Sequence, residues 1–149
     1  MRGLKTDTTG ALSSLAFTEM RPEDCKVIIF RRGAADLQLR ATDIDRDYIA
    51  EARALFASGT ALSASASREA TLHAMSLARH VGTVVILDID YRPYGWAHAE
   101  EASVYLRVAC ANADIIIGNH EEFEVLDGLA PVPGLGALEN ARRQLSGVT

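Results

Sequence analysis

Val84-Val85-Ile86-Leu87-Asp88-Ile89-Asp90-Tyr91-Arg92-Pro93 is a short apolar run that ends abruptly in charge. That design is repeated at Ala113-Asp114-Ile115-Ile116-Ile117-Gly118-Asn119-His120-Glu121-Glu122-Phe123. A helical pattern of the length a parallel crossover needs lies between the two. Two such strands joined by a helix bring their polar residues to neighbouring carboxyl ends of a parallel sheet. Open α/β folds bind their ligands there.

Working towards the N-terminus, strand 83–89 is preceded by a helix with Ser65 or Ser67 as its cap. Glu69 lies near its start, and His80 and Gly82 close it. Before it come a short strand over 57–63 and a helix capped by Asp43 or Asp45. That helix carries Tyr48, Ile49, Ala52, Leu55 and Phe56 at helical spacing. Residues 12–19 and 25–31 read as two strands around an Arg21-Pro22-Glu23-Asp24 turn, an antiparallel hairpin. Towards the C-terminus follow a helix over 97–112, a strand over 114–118 and a helix over 121–126. After a break at Pro131-Val132-Pro133-Gly134 comes a last helix over 135–145. The alternation predicts right-handed βαβ units and a parallel sheet. The hairpin does not share that rhythm. It is expected to stand apart as a lid, dividing the chain into 1–40 and 41–149. Three parallel strands make a thin sheet, since such sheets usually have more neighbours and both faces covered. The chain reads as the middle of something larger.

The chain has 149 residues, 48% hydrophobic and 23% charged, ordinary for one soluble domain with a core. A net charge of −5 without a basic stripe argues against nucleic acid as a partner. No apolar run approaches the roughly 18 residues of a membrane span. The polar start, Met1 to Gly10, is unlike a secretory signal, so a cytoplasmic location is expected. Cys25 and Cys110 have no metal-type spacing and read as reduced thiols.

Asn119-x-x-Glu122 follows a strand, and both side chains can face one crevice. A carboxylate and an amide there suit a hydrated magnesium ion, which takes few protein ligands. Equally, Asn119 is a good helix cap, and Glu121 and Glu122 favour the first-turn dipole. In Asp88-Ile89-Asp90-Tyr91-Arg92, strand alternation sends both aspartates to one side. Arg92 can clamp a carboxylate or phosphate, or simply pair with one of the aspartates. A strand ending in Asp-x-Asp also suggests a haloacid-dehalogenase-type phosphatase with Asp88 as nucleophile. That motif wants Thr or Val where Arg92 stands. Arg31, at the end of the hairpin, can reach an anionic substrate from above, while Arg32 reads as surface charge. Tyr91, Tyr94 and Trp96 wall a pocket or pack. His73 and His80 read as surface or capping residues, and Gly134-Leu135-Gly136 lacks the strand that a nucleotide turn requires.

Together these segments resemble the ribokinase-like (PfkB) sugar kinases, and within them the 5-dehydro-2-deoxygluconokinases of inositol catabolism. Phe30-Arg31-Arg32-Gly33-Ala34-Ala35-Asp36-Leu37 is similar to the lid segment, with Phe30 where Tyr is usual. Leu87-Asp88-Ile89-Asp90-Tyr91-Arg92-Pro93, followed by Trp96, resembles their Asp-x-Asp-Tyr-Arg-Pro. Asn119-His120-Glu121-Glu122 resembles the family's Asn-x-x-Glu. The order of the segments agrees over nearly the whole chain.

The resemblance implies a partial ribokinase-like α/β fold, a parallel βαβ sheet with a protruding lid hairpin. It implies phosphorylation of 5-dehydro-2-deoxy-D-gluconate with ATP and Mg2+ as cofactors. Arg31, Asp90 and Arg92 would bind substrate, Asn119 and Glu122 the metal. The family's Gly-Gly sugar segment and its Gly-Ala-Gly-Asp turn, with the anion hole and catalytic Asp, do not occur in these 149 residues. The chain is therefore expected to be a central piece, inactive by itself. Family lids often form dimer contacts, so a homodimer through the hairpin is expected. The alternatives are a stand-alone sugar-acid-binding or oligomerising remnant and, less favoured, the phosphatase using Asp88.

Overall fold

A computed structural model describes residues 5–20 and 26–127. Strands β1 (Leu15–Glu19) and β2 (Lys26–Phe30) form the antiparallel hairpin, with Leu15 opposite Phe30 and Phe17 opposite Ile28. Its turn, with Cys25, lies outside the described residues, as do the Pro131 break and the helix expected over 135–145. The main body has strands β3 (Ala54–Ser58), β4 (Val84–Asp88) and β5 (Ile115–Ile117). Its helices are α1 (Arg46–Ala50), α2 (Ser65–Val81), α3 (Ala99–Cys110) and α4 (His120–Asp127). The three strands are parallel in the order β3-β4-β5, with Phe56, Ile86 and Ile115 in register. The hairpin is a separate sheet, so the architecture matches the expected parallel sheet with an appended lid.

The segment before β4 differs from its expected reading. Asp45 does cap α1, its carboxylate accepting the Asp47 and Tyr48 amides at 2.9 and 3.1 Å. The helix ends at Ala50, however, and Leu55 and Phe56 belong to β3. Their helical spacing to Tyr48 is outweighed by pairing with β4, which sets Leu55 beside Val85 and Ala57 beside Leu87. The strand expected over 57–63 stops at Ser58, and Gly59–Ser63 forms a 3₁₀ turn. Neither Ser65 nor Ser67 caps α2. The cap position is Ala64, without a side-chain bond, and the buried Ser67 hydroxyl donates to the Ala61 carbonyl at 2.6 Å. The other end follows expectation. Gly82 takes φ +81, and the Thr83 amide donates to the Ala78 carbonyl at 2.9 Å, closing the helix.

Right-handed crossovers put α2 and α3 on one face of the sheet. There Val85, Leu87 and Ile89 pack with Met75, Ala78 and Leu106 in a single core. On the opposite face Phe56, Val84, Ile115 and Ile117 stay exposed among the described residues. Thr83 is buried and donates its hydroxyl to the Ile49 carbonyl at 2.9 Å, tying α1 to the start of β4.

Cys110 is a free, buried thiol at the end of α3. Burial pushes its pKa from 9.0 up to about 12, because the apolar surroundings disfavour thiolate. The folded chain thus holds the proton between pH 9 and about 12, where the unfolded chain releases it, so stability falls as pH rises through that window. Urea unfolding from pH 8 to pH 10.5 (about the middle of the window) is expected to show a steeper loss for the wild type than for Cys110→Ala. Equal slopes would contradict the buried-thiol assignment.

Candidate functional site

The carboxyl ends of β3, β4 and β5 carry one continuous polar chain. At one end the Arg31 guanidinium, at the foot of β2, pairs with Asp36 and donates to the Thr60 carbonyl at 2.8 Å. The lid arginine is thereby fastened to the turn after β3. Within that turn Thr60 Oγ1 lies 2.8 Å from Ser58 Oγ, and Ser58 Oγ donates to Asp90 Oδ2 at 2.9 Å. The opposite oxygen of Asp90 takes Arg92 Nη2 at 2.6 Å. Arg92 Nη1 then lies 3.9 Å from Glu122 Oε1, across to the start of α4.

Asp90 sits beyond the end of β4 with φ +36, a left-handed backbone for a residue other than glycine. Strand alternation therefore does not extend to it. Aspartate tolerates this region because its short carboxylate finds local partners, here Ser58 and Arg92.

Asn119 and Glu122 form a reciprocal cap on α4. The Asn119 amide donates to Glu122 Oε2, and the Glu122 amide to Asn119 Oδ1, both at 2.9 Å. Glu122 is buried. Capping thus occupies one Glu122 oxygen and the Asn119 carbonyl, and leaves Oε1 facing Arg92.

The Arg92 guanidinium is under-used. Nη1 makes only a long 3.4 Å bond to the Tyr91 carbonyl, and Nε is buried without a hydrogen-bond partner among the described residues. A buried unpaired donor costs about 1–3 kcal/mol, which a suitable acceptor would recover.

The five residues expected to bind substrate or metal, Arg31, Asp90, Arg92, Asn119 and Glu122, all lie along this polar chain, Arg31 at one end and Asn119 at the other. Sequence reasoning missed Ser58, whose hydroxyl stands in no motif. It also missed Arg68. From α2, Arg68 donates to the Leu62 carbonyl at 2.6 Å, pairs with Glu101 at 3.0 Å and lies 3.8 Å over the Tyr105 ring. It braces the Gly59–Ser63 turn from behind. Trp96 is buried and stacks on Tyr105, so it packs rather than lining an open pocket. Tyr94 is exposed.

A family model described as pfkB family carbohydrate kinase matches residues 2–146. A 5-dehydro-2-deoxygluconokinase of Photobacterium profundum is 52% identical over 130 residues, 87% of this chain and 39% of that protein. One from Geobacillus kaustophilus is 48% identical over 123 residues, 82% of this chain and 37% of that protein. The chain thus spans well under half the length of these relatives. Among solved structures, fructokinase with bound ATP from Xylella fastidiosa superposes with TM-score 0.78 at 24% identity, covering 94% of this chain and 43% of that one. These matches favour the kinase reading over a stand-alone remnant or a phosphatase built on Asp88. With its motifs in order along the ends of a parallel sheet, the chain belongs to the pfkB family of carbohydrate kinases.

Proposed function

We propose that this chain forms the sugar-acid-binding part of a cytoplasmic, ATP-dependent kinase acting on 5-dehydro-2-deoxy-D-gluconate. The observation that carries the reading is Arg92, a guanidinium with a buried unbonded Nε, placed within Asp-x-Asp-Tyr-Arg-Pro. A planar fork of donors suits a carboxylate, which a sugar acid has and a neutral ketose lacks. Arg31 adds a second cation from the lid. Asp90 keeps lone pairs beyond its two contacts and can accept a sugar hydroxyl. The cytoplasmic assignment agrees with the free Cys110. No helix among the described residues is long and apolar enough to cross a membrane.

For magnesium the described residues hold no cluster of three or more His, Cys, Asp or Glu side chains. They offer Glu122 Oε1 and, beside its capping bond, the second lone pair of Asn119 Oδ1. That donor set fits a hydrated ion held through its water shell, not a caged one. Such an ion, when bound, neutralises phosphoryl charge on ATP.

Isothermal titration of the chain with 5-dehydro-2-deoxy-D-gluconate and with D-fructose tests the proposal. The acid is expected to bind with a salt-dependent affinity and the neutral ketose at least about tenfold more weakly. Equal affinities, or none for the acid, would overturn it.

The hairpin supports a homodimer. Leu15, Phe17, Ile28 and Phe30 lie on one face of β1-β2 and are all exposed, with Phe17 and Phe30 in edge-to-face contact. Two copies burying these faces against each other would remove that apolar surface from water. Sedimentation is expected to show a dimer that Phe17→Asp converts to monomer. A monomeric wild type at tens of micromolar refutes the pairing.

A further inference from the structure

We propose that Ser58 is the positioning residue that fixes Arg92 for the anion and couples it to the lid arginine. This rests on the sugar-acid site proposed above and adds a residue that none of its motifs contains.

A serine hydroxyl has one proton and two lone pairs. Ser58 spends its proton on Asp90 Oδ2 at 2.9 Å. Its contact with Thr60 Oγ1 at 2.8 Å must then run the other way, with Thr60 donating. The Thr60 hydroxyl is committed to Ser58 while its carbonyl holds Arg31 Nη1 at 2.8 Å. The polarity of the relay is therefore set from Thr60 through Ser58 to Asp90, and on to Arg92 Nη2 at 2.6 Å.

The relay matters because Asp90 has few other restraints. Its backbone is left-handed at φ +36 and lies outside the β4 ladder, which ends at Asp88. One carboxylate oxygen faces Ser58 and the other Arg92. Without the Ser58 proton the carboxylate can turn about its side-chain torsions and relax towards water. Arg92 would follow, since its remaining contacts are long: 3.4 Å to the Tyr91 carbonyl and 3.9 Å to Glu122. Ser58 itself is well placed to act as an anchor. It is the last residue of β3, in register with Asp88, at the point where the strand gives way to the turn that holds Arg31.

The test reads Arg92 directly. The Nε–Hε signal of Arg92, assigned by Arg92→Lys, is followed by NMR in the full chain, beside titration with 5-dehydro-2-deoxy-D-gluconate. In the wild type the signal is expected to be dispersed and protected from exchange. Ser58→Ala should move it to the position of a free arginine and weaken the acid about tenfold, with backbone amides distant from β3 unchanged. Ser58→Thr, which keeps the hydroxyl, should restore both readings. An unmoved Arg92 signal in Ser58→Ala overturns the inference, and so does Ser58→Thr behaving like Ser58→Ala. If Ser58→Ala does not fold, Asp90→Asn breaks the same relay one step on, and an unchanged Arg92 signal there overturns it equally. A wild type that binds no sugar acid would sink the functional proposal, while the Arg92 signal would still decide the role of Ser58.

Discussion

Gly59→Ala is expected to cost about 3 kcal/mol of stability and to abolish sugar-acid binding, because β3 and β4 close on each other at this residue. A Cβ at position 59 would stand 2.0 Å from the Ile89 carbonyl oxygen and 2.8 Å from a Leu106 methyl. The leucine can turn aside, but the carbonyl cannot. Ile89 is fully buried, and its amide donates to the Ile117 carbonyl at 2.8 Å. Making room therefore means moving the end of β4 away from β3 or breaking its link to β5. Asp90 and Arg92 follow Ile89 directly and would move with it, so the site should fail along with the fold. Gly95→Ala is the control. Its Cβ would meet only Ser63 atoms, the nearest at 3.6 Å, an ordinary contact, and a change within about 0.5 kcal/mol is expected. Urea unfolding and titration of the three proteins check both readings. A Gly59→Ala protein as stable as Gly95→Ala would mean that β3 and β4 are not so closely apposed.

The same junction marks where the sequence could be read and where it could not. β4 and β5 are legible because each is an apolar run closed by charge within a few residues, with a helical pattern between them. β3 is not legible, because Leu55 and Phe56 fall at helical spacing from Tyr48 by coincidence and only pairing with β4 reveals the strand. Asn119 and Glu122 were legible as a pair three residues apart. Their sequence cannot say how capping and ion binding share the same oxygens, which depends on the 2.9 Å bonds at the start of α4. Strand alternation predicts that Asp90 points to the same side as Asp88. Its left-handed backbone breaks that period, and a single φ angle leaves no trace in composition. Ser58 was invisible for a related reason. A hydroxyl carries no periodic or motif signal, and its importance comes from a carboxylate 32 residues away in sequence.

Arg92→Gln should weaken 5-dehydro-2-deoxy-D-gluconate binding about 100-fold while changing stability by less than about 1 kcal/mol. The two effects differ because they draw on different contacts. In the free protein, the Arg92 side chain is 41% exposed and its partner Asp90 24%, so the ion pair is partly screened by solvent and contributes only modestly to folding. Glutamine also removes the buried, unbonded Nε, which relieves a cost in the free state. When an anion binds, the guanidinium offers a charge and paired donors that glutamine cannot replace. Arg92→Lys separates those two contributions. Lysine restores the charge as a point, without the fork, so it should recover part of the affinity and most of the salt dependence. If the acid is held by Arg31 alone, Arg92→Gln would bind as the wild type does, and the β4 end would have only a structural role. If Arg92 serves only to hold Asp90, Arg92→Lys should restore binding fully, since an ammonium can pair with that carboxylate equally well. Partial rescue is the result that requires a planar guanidinium facing the ligand.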